Sequence, residues 1–199
     1  MLNENDFWYW DGAIPKDVCD KIINLYPDKW KGAKIKNQLT YGEGKVNQSS
    51  RISECIFLND KWILEMVLEF IKTANEKAGW NYDIDSVETM QLTKYTTDGF
   101  YGWHKDGGSD IYGAYQKPDD PLVDGKVRKI SMSIILNDDY EGGELQFKFA
   151  KNKMKKITPN IKSTGSVIVF PSYQLHRVKP ITKGTRYSLV VWSLGPPFK

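Results

Sequence analysis

A chain of 199 residues is long enough to bury a core without disulfides or a structural metal, so one domain is expected. Its 28 basic and 25 acidic residues leave a net charge of +3, far below the positive field of a dedicated nucleic-acid binder. The longest apolar runs, 167–170 and 189–192, are strand-sized and well short of the ~20 residues a membrane-spanning helix needs.

The first residues, Met1 to Asp11, are acidic and aromatic and do not read as a secretory signal. Cys19 and Cys55 match no metal-ligand spacing and are expected as free buried thiols, which suits a reducing cytoplasm. Pro15 opens a helical pattern with Ile14, Val18, Ile22 and Leu25 on one face, closed by Pro27. Residues 31–50 are polar and glycine-containing and are expected as a mobile loop, followed by a strand over 51–58. A stronger helix begins after Asn59 or Asp60 as cap, with Ile63, Met66, Val67, Phe70, Ile71 and Ala74 at helical spacing and Gly79 as its stop.

From about Val87 the pattern changes to short β-branched and aromatic runs separated by Gly, Asp and Pro turns, as in a jelly roll. Strands are expected at 87–95, 128–136, 144–149, 166–170 and 186–193, with a shorter pairing at 176–178. The expected fold is mostly β with supporting α: a double-stranded β-helix over 87–199, and a helical support region with one strand over 1–86, packed on one outer face. Gly142-Gly143 reads as a tight turn requiring positive φ, because no helix pattern follows that would make it a phosphate loop. Six lysines (148, 151, 153, 155, 156 and 162) mark a basic hairpin, read as a solvated sheet edge with an acidic partner left open.

The chain has two histidines, and both lie in one chemical pattern: His104-Lys105-Asp106, then His176, then Arg186 ten residues later. On an extended strand His104 and Asp106 face the same way, and His176 is the sole remaining imidazole. Two histidines and a carboxylate on one face of an octahedron form the ligand set of non-haem Fe(II) oxygenases. Arg186 and Ser188, also two apart, can clamp a terminal carboxylate. Taken singly, the His-x-Asp pair also fits a histidine ordering a turn, and Arg186 also fits a surface ion pair.

Four segments occur together in order: Tyr95-Thr96-Thr97-Asp98-Gly99-Phe100-Tyr101-Gly102-Trp103-His104-Lys105-Asp106, Tyr140-Glu141-Gly142-Gly143-Glu144-Leu145, Pro171-Ser172-Tyr173-Gln174-Leu175-His176-Arg177-Val178 and Gly184-Thr185-Arg186. From Val87 to Trp192 they resemble the 2-oxoglutarate and Fe(II)-dependent prolyl/lysyl hydroxylases, the prolyl 4-hydroxylase-like or PKHD-type family. That resemblance implies His104, Asp106 and His176 as iron ligands, Arg186 as partner of the distal carboxylate of 2-oxoglutarate, and Ser188 and Tyr95 beside it. It implies Fe(II), 2-oxoglutarate, O2 and ascorbate (vitamin C), with oxidative decarboxylation to succinate and carbon dioxide driving hydroxylation.

A prolyl residue of a peptide or protein is the leading substrate; a lysyl residue, a free amino acid or another small molecule are alternatives. Tyr101 and Trp103 flank the ligand strand and either line the pocket or pack the core, with Trp103 leaning to the core. The segment between Asp106 and Arg128, carrying Tyr112 and Tyr115, is expected as a lid. Two departures stand out. Residues 128–137 lack the further co-substrate tyrosine of some oxygen-sensing relatives, and the anchor is Arg186 where collagen-type relatives use lysine at a shorter spacing. A zinc hydrolase on the same ligands, or an inactive binding module, are the competing classes.

Overall fold

The computed structural model describes residues 5–33, 49–108, 113–149 and 155–198. Two antiparallel sheets face each other in a jelly roll. The larger has eight strands: β1 (Trp8–Trp10), β12 (Val167–Pro171), β8 (Val127–Ile135), β15 (Arg186–Gly195), β6 (Met90–Tyr95), β4 (Glu54–Leu58) and β2 (Lys31–Gly32) in that order, with β5 (Ser86–Val87) also on β15. The smaller has five, in the order β11 (Lys155–Ile157), β10 (Leu145–Phe149), β13 (Leu175–Val178), β7 (Phe100–His104) and β3 (Arg51–Ile52). β9 (Glu141–Gly142) and β14 (Ile181–Lys183) form a separate ladder.

Among the described residues two helices, α1 (Lys16–Ile23) and α2 (Lys61–Lys77), cover the large sheet. Ile63, Val67, Ile71 and Ala74 recur at helical spacing and are fully or almost fully buried, and Gly79 at φ +79° ends the helix as a residue without a Cβ can. They meet Ile130, Met132 and Ile134 of β8, Val167 and Val169 of β12, and Leu189 and Val191 of β15 in one apolar cluster. Truncating Ile63 to Ala would cost about 2–5 kcal/mol there.

The pleat then decides what the other face presents. Between those aliphatics lie Ser131 and Ser133 on β8, and Arg186 and Ser188 on β15, all buried and facing the small sheet. The helix-facing side of the large sheet is a core, while its inner side is polar and suited to hold a ligand. The inner apolar packing is a smaller cluster of Phe147, Phe149, Ile168 and Phe170.

The bounds of β8, β10, β12, β13 and β15 lie within two residues of the expected ones, while β9, β11 and β14 had none expected for them. The run 51–58, expected as one strand, is two: β3 joins the small sheet and β4 the large one, because the chain crosses between sheets at Ser53. The run 87–95 is likewise split into β5 and β6. Lys31–Gly32 pairs with Cys55 and Glu54 instead of lying in a loop, and the rest of the expected mobile stretch, 34–48, falls outside the described residues. Trp8–Trp10, read only as an acidic aromatic start, is a strand on β12. In the basic hairpin Lys148 and Lys156 are register partners, while Lys151 and Lys153 fall outside the described residues.

Candidate metal centre

β7 and β13 are neighbours, and His104 and His176 are register partners on them, with ring centroids 4.2 Å apart. One step further the register shifts, so that His176 and Val178 stand opposite His104 and Tyr101. This β-bulge spans Gly102 and Trp103, and it brings Tyr101, three residues from His104, onto the same inner face. The Tyr101 ring stacks on the His104 imidazole at 3.4 Å and 15°, with the Arg51 guanidinium 4.7 Å from its centroid. Burial pushes the Tyr101 phenol up to about 12, so it stays protonated at neutral pH.

Each imidazole is fixed by its own chain. His104 Nδ1 lies 2.8 Å from the Gly102 carbonyl, and His176 Nδ1 lies 2.9 Å from that of Gln174. A carbonyl can only accept, so both Nδ1 atoms carry a proton and the Nε2 atoms are the ones turned toward the centre. They point at one carboxylate: His104 Nε2 is 3.5 Å from Asp106 Oδ1, and His176 Nε2 is 3.5 Å from Oδ2. One ligand atom from each of the three residues lies within 4.8 Å of the others. Ligands about 2.0–2.2 Å from a shared cation stand about 3 Å apart, so small side-chain shifts close the set.

Asp106 reaches this point from outside the strand. β7 ends at His104, and both the Asp106 and Gly107 N–H groups donate to the Ser172 carbonyl at 3.0 Å. The pleat argument for His-x-Asp therefore gives the right neighbours for a different reason. Burial disfavours the charged form of Asp106, but the facing histidines and the Arg128 guanidinium outweigh it and hold the carboxyl well below the usual range. Burial, supported by His104 and opposed by Asp106, pushes His176 down to about 4, leaving it neutral. An anionic oxygen and two imidazole Nε2 atoms, all at least half-buried, suit a divalent transition metal.

Arg186 is 3% exposed on β15. Its Nη1 donates to Ser188 Oγ at 2.9 Å, its Nε is buried without a partner, and among the described residues no carboxylate pairs with it. It borders a cavity of about 440 Å³ lined also by Ser133, Ile135, Gly143, Leu145 and Ile168, within the ~300–1,000 Å³ usual for small-molecule sites. A buried cation with no anion is costly unless a ligand supplies one. Tyr95, its register partner, has its ring 5.6 Å from the guanidinium and shares a cluster with Tyr101, which connects the anion site to His104.

A sequence profile described as the 2OG-Fe(II) oxygenase superfamily matches residues 90–194, which include all three ligand candidates and Arg186. The chain belongs to that superfamily. Among relatives of this 2OG-Fe(II) oxygenase, a PKHD-type hydroxylase of Sphingopyxis alaskensis is 38% identical over 155 residues, covering 74% of this chain and 64% of the relative. One of a Picosynechococcus strain is 33% identical over 109 residues, covering 54% and 42%. The chain thus spans about half the length of the curated relatives it matches.

Solved structures that share the fold include three prolyl hydroxylases. A Pseudomonas putida prolyl-4-hydroxylase superposes with a TM-score of 0.67 at 16% identity, covering 96% of this chain and 94% of that one. A Trichoplax adhaerens prolyl hydroxylase, solved with a hypoxia inducible factor peptide fragment, gives 0.71 at 17%, covering 96% and 84%. The viral collagen prolyl hydroxylase of Paramecium bursaria Chlorella virus-1, solved with 2OG, gives 0.62 at 20%, covering 98% and 99%.

Within the oxygenase fold, Tyr95, Ser188 and Arg186 come together, and Tyr101 joins the histidines. Trp103 does neither of the things expected of it. It lies under the Arg177 guanidinium at 4.7 Å, and Arg177 Nε donates to Gln146 Oε1, so Trp103 belongs to the outer face of the small sheet. As the neighbour of inward-facing His104 it points outward by the ordinary alternation of a strand. Tyr115 donates its hydroxyl to Glu88 Oε1 at 2.8 Å, and its backbone N–H and C=O close a turn with Lys126 and Gly125. Tyr112 falls outside the described residues. Gly142 and Gly143 adopt φ +79° and +65°, and a strand follows them. Arg51 and Ser172 went unnoticed in the sequence; a glycine inside a strand pattern, Gly102, was the available sign of the bulge.

Proposed function

We propose that this chain is an Fe(II)- and 2-oxoglutarate-dependent hydroxylase acting on a prolyl residue of a peptide or protein. His104, Asp106 and His176 would hold the metal, which when bound supplies the activation of O2 that couples 2-oxoglutarate decarboxylation to hydroxylation. Arg186 and Ser188 would hold the distal carboxylate of 2-oxoglutarate, with Tyr95 beside them. A neutral His176 and an ionised Asp106 already have their ligand form at pH 7, and the protein's task is to orient the co-substrate and exclude water. Ascorbate would serve as an accessory reductant.

The observation that carries this reading is Arg186: a buried guanidinium with an unpartnered Nε and no carboxylate among the described residues. A hydrolase using the same three ligands and a water has no need of such an anchor, and it argues equally against a site kept only as scaffold. The prolyl assignment draws on the prolyl hydroxylases of the same fold and on the PKHD-type relatives; lysyl residues, free amino acids and other small molecules are the alternatives. Anaerobic titration of Fe(II) and 2-oxoglutarate should give a visible charge-transfer band, and succinate release should rise with proline-containing peptides over lysine-containing ones. No band, and no succinate with any peptide or amino acid, would remove the proposal.

A further inference from the structure

The two histidines ride on the small sheet, but Asp106 does not. Beyond the end of β7 no ladder holds it, and its backbone is tied instead to the large sheet. The Ser172 carbonyl, just past β12, accepts the Asp106 N–H, and Arg128 of β8 donates from Nη1 to the Asp106 carbonyl at 3.2 Å. Both backbone polar groups of the carboxylate residue are thereby bonded across the barrel.

Arg128 is itself held from every side. Its Nε and Nη2 each meet one oxygen of Glu88 at 2.6 Å, a bidentate pair that uses the guanidinium fork in full. The guanidinium lies 3.9 Å over the Trp192 ring, and the Tyr115 hydroxyl adds a further bond to Glu88. A Cβ on Gly107 would come within 2.9 Å of Arg128 Cβ and 3.0 Å of its carbonyl, so the residue after Asp106 is seated directly on β8. A buried ion pair contributes little net folding energy, whereas its directional bonds fix orientation.

We infer that Arg128, oriented by Glu88, is a positioning residue that ties Asp106 to the large sheet and so sets it against His104 and His176 of the small one. It acts through the main-chain carbonyl of Asp106, and its role rests on the metal site proposed above. Lysine at 128 keeps the charge and one contact to Glu88 but cannot also span to the Asp106 carbonyl.

The test is Mn(II) affinity, read by calorimetry and by electron paramagnetic resonance, beside thermal melting of the metal-free protein. Arg128→Lys should bind Mn(II) roughly 10–100-fold more weakly, the usual effect of losing a group that orients a ligand, with its melting point within a few degrees of wild type. Glu88→Gln, which keeps the shape and loosens the fork, should show a smaller loss in the same direction and serves if Arg128→Lys does not fold. Val67→Ala in α2 should lower the melting point and leave Mn(II) affinity unchanged. Wild-type affinity in Arg128→Lys, or in Glu88→Gln where that is the variant that folds, overturns the inference. So does an equal loss in Val67→Ala, which would make the effect general destabilisation. A wild type that binds no Mn(II) removes the metal site first and this role with it.

Discussion

His104 and His176 are cross-strand partners, and each donates its Nδ1 proton to the carbonyl two residues before it. The same local device therefore helps set both rings, on strands running in opposite directions, so that their Nε2 atoms converge. Only Asp106 must be brought in from elsewhere. The two imidazoles are prearranged, and the carboxylate decides whether a cation is held.

Replacing Asp106 by Ala accordingly removes the one anionic ligand from the site. Fe(II) and Mn(II) affinity should fall by at least ~100-fold, beyond the range seen when only an orienting group is lost, and peptide hydroxylation should vanish. Metal content after anaerobic gel filtration measures this; an iron-replete, active Asp106→Ala protein would refute the ligand set.

Arg186→Met separates binding from folding. In the ligand-free protein the guanidinium is a buried charge lacking an ionic partner among the described residues, so a methionine of similar length should leave stability unchanged or raise it by about 1–4 kcal/mol. Binding of 2-oxoglutarate should weaken at least ~30-fold, corresponding to the ~2 kcal/mol or more expected when one member of a buried charge pair is lost. The measurement is thermal shift with and without 2-oxoglutarate and Mn(II). A large drop in ligand-free melting temperature would mean that Arg186 is structural.

The metal-free protein should lose stability in mild acid. His176 titrates near 4 in the fold and near 6.5 when unfolded, so between those values the unfolded chain takes up a proton that the folded one refuses. Its contribution is whole above pH 6.5 and falls as the pH drops, by about 2 kcal/mol at pH 5. Asp106, also depressed, adds its own loss only below about pH 4, in the same direction. Urea midpoints at pH 7.5, 6 and 5 test this, and His176→Gln should flatten the profile; an equally steep profile in that variant would assign the acid lability elsewhere.

Much of this architecture was legible because it is periodic. The α2 stripe of Ile63, Val67, Ile71 and Ala74 and the alternation along β8, β12 and β15 identify helix and sheet by their repeat alone. The order of His104, Asp106, His176 and Arg186 carried the site for a different reason, since few other arrangements bring those groups together. Crossings and irregularities carry no period. The exchange of sheets at Ser53, the bulge that turns Tyr101 inward, and the pairing of Glu88 with Arg128, 40 positions apart, depend on how the two sheets face each other. Arg128 in particular reads in the sequence as an ordinary strand-end arginine.

The paired glycines offer a contrast between two neighbouring substitutions with similar backbone strain. Both occupy left-handed φ, so alanine costs about 1–2 kcal/mol at either position from the backbone alone. Their surroundings differ. A Cβ on Gly142 would collide with the Pro180 carbonyl and stand 2.9 Å from the Thr182 N, which are backbone atoms of the β14 ladder that cannot step aside. A Cβ on Gly143 would instead press on the Ile181 side-chain tip and come within 2.9 Å of Arg186 Cδ, both movable. Gly142→Ala should therefore lower the melting temperature more, while Gly143→Ala should weaken 2-oxoglutarate binding more by tilting the guanidinium. Melting curves and co-substrate titrations on both variants give the crossed pattern; a Gly143→Ala protein with wild-type 2-oxoglutarate affinity would show that the turn does not set the position of Arg186.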